Sequence, residues 1–420
     1  MSISIIDAPQ NGSSIQDDLW YIASSDNSGQ TNFKYVFDIY DWTGRQLVRT
    51  KIYPDVNNGQ GYFNAGNVVR NLITYDWFTP ANPDNQAYLA FPDFSGKMGA
   101  IYDIKIGEDY NVGASGVTTL NMASAQTIAY NWTPPLWKRR QDIYFDGSNY
   151  RWLTNRDLRA NVCKSTWNSE KLLVPYQYYG YDGYFLQFKI TTYNENNAVI
   201  DTAYIWYENP TIETIFCQMD IAPHALNKQT ELNNGLGTGI INSDVAYYTI
   251  TESHFFGDEY PIFRVDLVCC NNYTPINLHF MNQYGLFDTA KFDRVNKLNL
   301  TTARSSYTQK GLSFGSTSVD YFDKVVGLYQ NERTYKETKI NYDQSASWKY
   351  KLMMNAPSDN NYKWLAELIM SPQIYMEIND DFYPVTITNT THDYIERAYN
   401  GLKNFEIEVE VNQNRKGFKR

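Results

Sequence analysis

The fifteen residues from Leu278 to Phe292, LHFMNQYGLFDTAKF, decide the fold of this chain. Ile276, Leu278 and Phe280 alternate with Asn277, His279 and Met281, the period-two pattern of a strand with one buried face. Asn282, Gln283, Tyr284 and Gly285 follow as a turn, where Gly285 can take the positive φ that a side chain resists. Leu286 to Phe292 return as a second strand. The expected unit is a compact β-hairpin with Leu278, Phe280, Phe287 and Phe292 in a core. No catalytic partner accompanies its turn, so its chemistry is packing.

The same pattern spreads outward. Toward the C-terminus, Thr334 to Met354 reads as two strands. Ser358-Asp359-Asn360 caps a helix in which Tyr362, Leu365, Ala366 and Ile369 share a face, and Pro372 ends it. Tyr375–Ile378 and Pro384–Thr388 then form a hairpin about Asn379-Asp380-Asp381. In the closing strand Phe405, Ile407, Val409 and Val411 oppose Glu406, Glu408 and Glu410. Toward the N-terminus, Phe33, Tyr35, Phe37 and Ile39 share one strand face, and Asp41 to Gly44 turn it back. Asn64 to Tyr75 reads as a short helix. Leu226 to Ser243 reads as a polar, glycine-rich loop between units. Pro134-Pro135, within Asn131 to Arg140, marks a boundary.

These signals predict a mainly β protein of antiparallel β-sandwich units with a few short helices, its C-terminal module running strand-strand-helix-strand-strand. Three domains are expected: residues 1–135, 136–244 and 245–420, the last with a helix at about 359–371. The 420 residues allow that many separate cores.

Composition narrows the function. The chain holds 36 Tyr, 10 Trp and 21 Phe. Aromatics favour strands, and tyrosine suits contact surfaces that are apolar on one side and wet on the other. A net charge of −10 argues against a general nucleic-acid binder. The basic runs Lys138-Arg139-Arg140 and Arg415, Lys416, Lys419, Arg420 are short. Met1 to Ile5 lack the features of a signal peptide, and no stretch has the length of a membrane span. Cys163, Cys217, Cys269 and Cys270 show no CxxC spacing, so free buried thiols in a reducing cytoplasm are expected.

Catalytic patterns are sparse. Gly311-Leu312-Ser313-Phe314-Gly315 matches the nucleophile-elbow pattern, with His392 downstream, but it has neither a buried strand before it nor a helix after it. His224, His254, His279 and His392 have no zinc spacing, and His279 reads as a satisfied strand residue. Gly235 to Gly239 has no strand leading into it, so it is not a phosphate cradle. Asp17-Asp18 and Asp380-Asp381 lack the spacing of a calcium loop. No catalytic, cofactor-binding or metal-binding residue is assigned, and no enzyme activity or cofactor is expected.

Three stretches resemble a family of virion structural proteins of tailed bacteriophages, particularly those of Bacteroidetes hosts. They are residues 33–73 (FKYVFDIYDWTGRQLVRTKIYPDVNNGQGYFNAGNVVRNLI), the hairpin at 278–292, and the end (KWLAELIMSPQIYMEINDDFYPVTITNTTHDY, then LKNFEIEVEV). The hairpin is similar to that family's FLNR-G-G-aromatic-Asp-aromatic-aromatic-F pattern. It departs at Gln283-Tyr284 and keeps Gly285, Phe287, Asp288 and Phe292. The resemblance implies a structural subunit of a tail, baseplate or neck ring, located in the virion after synthesis in the bacterial cytoplasm. Its expected partners are other copies of itself in a ring and neighbouring virion proteins, with no membrane and no specific nucleic acid. The face of Glu406, Glu408 and Glu410 is a candidate passive lining of a DNA channel. The alternative, from another class, is a host-surface or carbohydrate-binding appendage such as a fibre or capsid decoration.

Overall fold

The computed structural model describes residues 3–9, 13–15, 17–72, 89–90, 99–112, 115–117, 123–130, 151–165, 170–177, 186–207, 216–234, 239–252, 262–269, 275–294, 296–308, 339–356, 358–378, 381–389, 403–411 and 415–416. The fold is mainly β, with several antiparallel sheets and short helices, as the alternating apolar pattern predicts. Its buried side chains collect chiefly into three large cores.

The first core lies between two sheets. Strands β1 (Ile3–Asp7), β3 (Trp20–Ser25) and β6 (Gly61–Asn64) make one. The other contains β2 (Ser13–Ser14), β4 (Lys34–Asp41), β5 (Gln46–Ile52), β8 (Gly99–Val112), β9 (Ser115–Val117) and β10 (Ala123–Tyr130). Tyr35, Phe37 and Ile39 of β4 are buried, as their alternation predicts. The turn after β4 is held by Asp41, whose Oδ1 accepts the N–H groups of Thr43 and Arg45 at 3.0 and 2.9 Å. The expected helix at 64–75 is shorter than its pattern: α1 spans Gly66–Val69 and one 3-10 turn follows at Arg70–Leu72.

Strand β7 (Leu89–Ala90) pairs with the second unit, in the sheet of β11 (Arg151–Trp152), β13 (Leu173–Gln177) and β16 (Phe216–Asp220). Facing it is a five-stranded sheet in the order β12-β18-β17-β14-β15. Its members are β12 (Arg159–Cys163), β14 (Leu186–Tyr193), β15 (Val199–Tyr207), β17 (Tyr247–Glu252) and β18 (Phe263–Val268). Trp152, Tyr176, Phe188 and Phe263 fill the space between the two. This core therefore runs on to Leu267, past the expected limit at residue 244, because β17 pairs with β14 across the intervening segment.

Helix α2 (Pro223–Asn234) replaces the first half of the loop expected at 226–243. Ala225, Leu226 and Gln229 are buried, and Leu226 joins the core. Proline suits the first helical turn, where its missing N–H costs nothing. Gly239 closes the segment against this helix. A Cβ there would lie 2.2 Å from Cγ of Asn227, whose amide holds the backbone of Ile241 at 2.7 and 2.8 Å.

The third unit is an eight-stranded sheet with the main order β20-β19-β23-β24-β25-β22-β21. The opening hairpin supplies β19 (Ile276–Met281) and β20 (Phe287–Phe292). Next come β21 (Lys297–Thr308), β22 (Lys339–Ala356), β23 (Ile374–Ile378), β24 (Asp381–Ile387), β25 (Lys403–Val411) and β26 (Arg415–Lys416). Within the pattern at 334–354, where two strands were expected, residues 339–354 belong to one strand of 18 residues, and 334–338 lie outside the described residues. Helix α3 (Asp359–Met370) packs Tyr362, Trp364, Leu365 and Leu368 onto Leu278, Phe280 and Phe292, and Ser358 caps it by accepting the N–H of Asn361 at 3.0 Å.

Two cysteine expectations fail. Cys163 is disulfide-bonded, with its partner outside the described side chains, and Cys269 is free but exposed. The parallel pairing of β12 with β18 sets Cys163 beside Val268, a non-local proximity that spacing along the chain does not encode. Among the described residues, no helix is long and apolar enough to cross a membrane.

Candidate functional site: the polar seam at the Asn282 turn

A dense polar constellation lies where the second and third units meet, at the turn of the 278–292 hairpin. Gly285 has φ +78° and donates its N–H to the carbonyl of Asn282 at 3.0 Å. Asn282 folds its side chain inward: Oδ1 accepts the N–H of Tyr284 at 2.9 Å, and Nδ2 donates to the carbonyl of Leu153 at 2.7 Å. One short polar side chain therefore shapes the turn and also fastens it to the neighbouring unit.

Asp288, fully buried on β20, is the hub. Its Oδ2 accepts from Thr154 Oγ1 at 2.8 Å, Trp364 Nε1 at 2.9 Å and Asn282 Nδ2 at 3.1 Å. Three donors from three elements thus meet on one oxygen. Arg156 supplies the compensating cation: its guanidinium lies 4.8 Å from the Trp364 ring and 5.6 Å from that of Phe263, and Nη1 donates to the carbonyl of Thr289 at 3.2 Å. Burial raises the Asp288 carboxyl against the pull of Arg156 and the three donors. Burial likewise lowers Arg156 to about 10, against the opposing charges of Asp288 and Asp157.

Further contacts continue the seam. Gln218 of β16 clamps the backbone of Phe287 from both sides, its amide bonding the carbonyl and the N–H at 2.8 Å each. Leu173 donates its N–H to Thr289 Oγ1 at 2.8 Å. Glu367 of α3 accepts from Asn155 at 2.5 Å and from the N–H of Gln283 at 3.1 Å, and burial lifts its carboxyl to about 7. Asp157 accepts from the capping hydroxyl of Ser358 at 2.5 Å and donates its N–H to Asn361 at 2.9 Å. Lys291 reaches Glu170 at 2.7 Å.

His279 is a satisfied residue inside β19, as its strand position predicts. Nδ1 lies 2.9 Å from Thr289 Oγ1 and Nε2 lies 3.1 Å from Glu377. The Thr289 hydroxyl, which also accepts the N–H of Leu173, pairs with Nδ1, and the Glu377 carboxylate pairs with Nε2. Burial alone would raise Glu377, but His279, Asn277 and Lys171 outweigh it and hold the carboxyl below the ordinary range.

The other sequence candidates do not gather here. His224 sits in α2, 3.9 Å from Asp220. Ser313, His254, His392, Gly235 to Thr238 and Lys138 to Arg140 lie outside the described residues. Among the described residues, no group of three or more His, Cys, Asp or Glu side chains could hold a metal ion. Thr154, Arg156 and Gln218 carry no sequence motif, and tertiary packing alone brings them, with Trp364 and Glu367 of α3, to Asn282 and Asp288. The arrangement neutralises buried charge and locks backbone to backbone. Its chemical capacity is fastening.

No protein-family model matches this chain, and no curated protein matches it. Among solved structures, a marsupial T cell receptor aligns over 73% of this chain and 87% of its own, at 11% identity and a TM-score of 0.16. A score that low carries no argument about fold or function.

Proposed function

We propose that the chain is a non-enzymatic structural subunit of a tailed-phage virion, a component of a tail, baseplate or neck ring built by contacts between copies. The observation that carries this reading is the seam itself. Asp288, Arg156, Glu367 and Asn282 hold two cores together, which suits a building block that must keep its shape within an assembly. The family resemblance of residues 33–73, 278–292 and the C-terminal stretches supports the same reading.

The closing-strand glutamates lend no weight to a DNA-channel lining. Register sets Lys297 opposite Lys351, Lys351 opposite Glu408, and Lys349 opposite Glu410. Glu406 reaches Lys351 at 2.5 Å, and Glu410 lies 3.6 Å from Lys349. The face is balanced in charge.

A second reading, the host-surface appendage, draws on Trp42, which is 68% exposed at the tip of the Asp41-anchored turn. A rigid turn displaying an aromatic ring suits stacking against a sugar or another protein. Immunogold labelling of purified phage particles with an antibody to this chain tests both. Label at the tail, baseplate or neck is expected. Label on fibre tips or the capsid exterior supports the appendage, and absence from particles overturns both.

A further inference from the structure

The apolar face of the third sheet continues after its cover ends. Ile407, Val409 and Leu352 are buried beneath α3 and the hairpin. Along the row Val409, Tyr350, Leu298 the burial falls from complete, to partial, to 51% exposed. In the next row Leu300 and Trp348 are 49% and 41% exposed. Strand β21, 12 residues long, ends the sheet, and Lys297 to Ser305 are exposed throughout. Among the described strands β22 is the only partner of β21, and a long terminal strand with exposed apolar residues is a template for another strand.

We infer that β21 of one copy docks on β15 of a second copy. This rests on the ring reading and names the surfaces that would make the ring. Strand β15 ends the five-stranded sheet, is nine residues long, and exposes Val199 at 59% and Tyr204 at 38%. The charges are complementary. Lys297 and Arg304 are the charged residues of β21, and Asp201 is the charged residue of β15. Two copies of β21 facing each other would bring like charges together. The short, bulged β1 is a poorer match in length for β21. Because the two strands are different surfaces, each docked pair leaves one free strand of each kind. That is a head-to-tail contact, which closes into a ring or propagates.

Charge exchange on the purified full-length chain tests this by sedimentation velocity up to about 100 µM. Wild type is expected to form species larger than the monomer. Lys297→Glu with Arg304→Glu, and separately Asp201→Lys, are expected to weaken association at least about tenfold, and the chain carrying all three to regain it. These are exposed positions, so unchanged thermal melting confirms that the variants fold; Leu300→Gln, which removes apolar contact without changing charge, is expected to weaken association too.

A wild-type chain that stays monomeric overturns the inference, as does a triple variant that regains nothing. Variants that assemble like wild type overturn the β21–β15 contact and leave the ring reading to another surface, such as Ile6, Trp20 and Tyr62. Association through these strands by a chain absent from phage particles overturns the virion reading alone.

Discussion

The indole N–H of Trp364 on α3 donates to Oδ2 of Asp288 on β20 at 2.9 Å, inside a seam that residues of the second unit also enter. The bond ties a helix to a strand 76 residues earlier in the chain. It also helps keep a buried carboxylate supplied with donors, next to the cation of Arg156.

Asp288→Ala leaves Arg156 without its buried counter-charge and leaves the Thr154, Asn282 and Trp364 donors unanswered. A loss of about 3–5 kcal/mol of unfolding free energy is expected from urea titration, the range for breaking a buried pair from one side. Asp288→Asn keeps an acceptor oxygen and is expected to cost less.

Gly285→Ala places a Cβ at φ +78°. That conformation costs an L-residue about 1–2 kcal/mol, and the loss is expected to appear as a lower urea midpoint with an unchanged slope.

Gly239→Ala drives a Cβ into Asn227 and breaks its grip on Ile241. A cost of about 1–3 kcal/mol is expected, and in a double-mutant cycle with Asn227→Ala the two losses should fall short of additive. Full additivity would show that Asn227 is not what Gly239 accommodates.

Stability is expected to fall with rising pH across a defined window. Burial holds Glu252 at about 7, against an ordinary 4.5, although the Tyr176 hydroxyl donates to it and pulls the other way. The native chain therefore binds a proton that the unfolded chain has released. That contribution is fully present below about 4.5 and is lost as pH rises through about 7. Glu367 acts in the same sense. Glu252→Gln keeps an acceptor for Tyr176 and does not ionise. It is expected to exceed wild type by about 1–3 kcal/mol at pH 8, with the gap closing at pH 5, as measured by urea melts at both pH values.

Much of the fold was legible along the chain because each signal is local. The alternation of Leu278 and Phe280 and of Phe405, Ile407 and Val409 depends only on strand periodicity, and Gly285 and Ser358 depend only on turn and cap geometry. The reading failed where a neighbour distant in sequence made the choice. Pro223 to Asn234 is helical because Leu226 has a core to fill, and the second core runs past residue 244 because β17 pairs with β14.

The 278–292 stretch shows both sides of this division. By itself the sequence determined a hairpin, its glycine turn and its buried face, since alternation and backbone sterics act within a few residues. Only the tertiary structure decided that Asn282 and Asp288 would become a junction. Their partners Leu153, Thr154, Arg156 and Trp364 lie between 76 and 134 residues away. A hydrogen bond acts over about 3 Å, so such partners exist for one another only after the chain has folded.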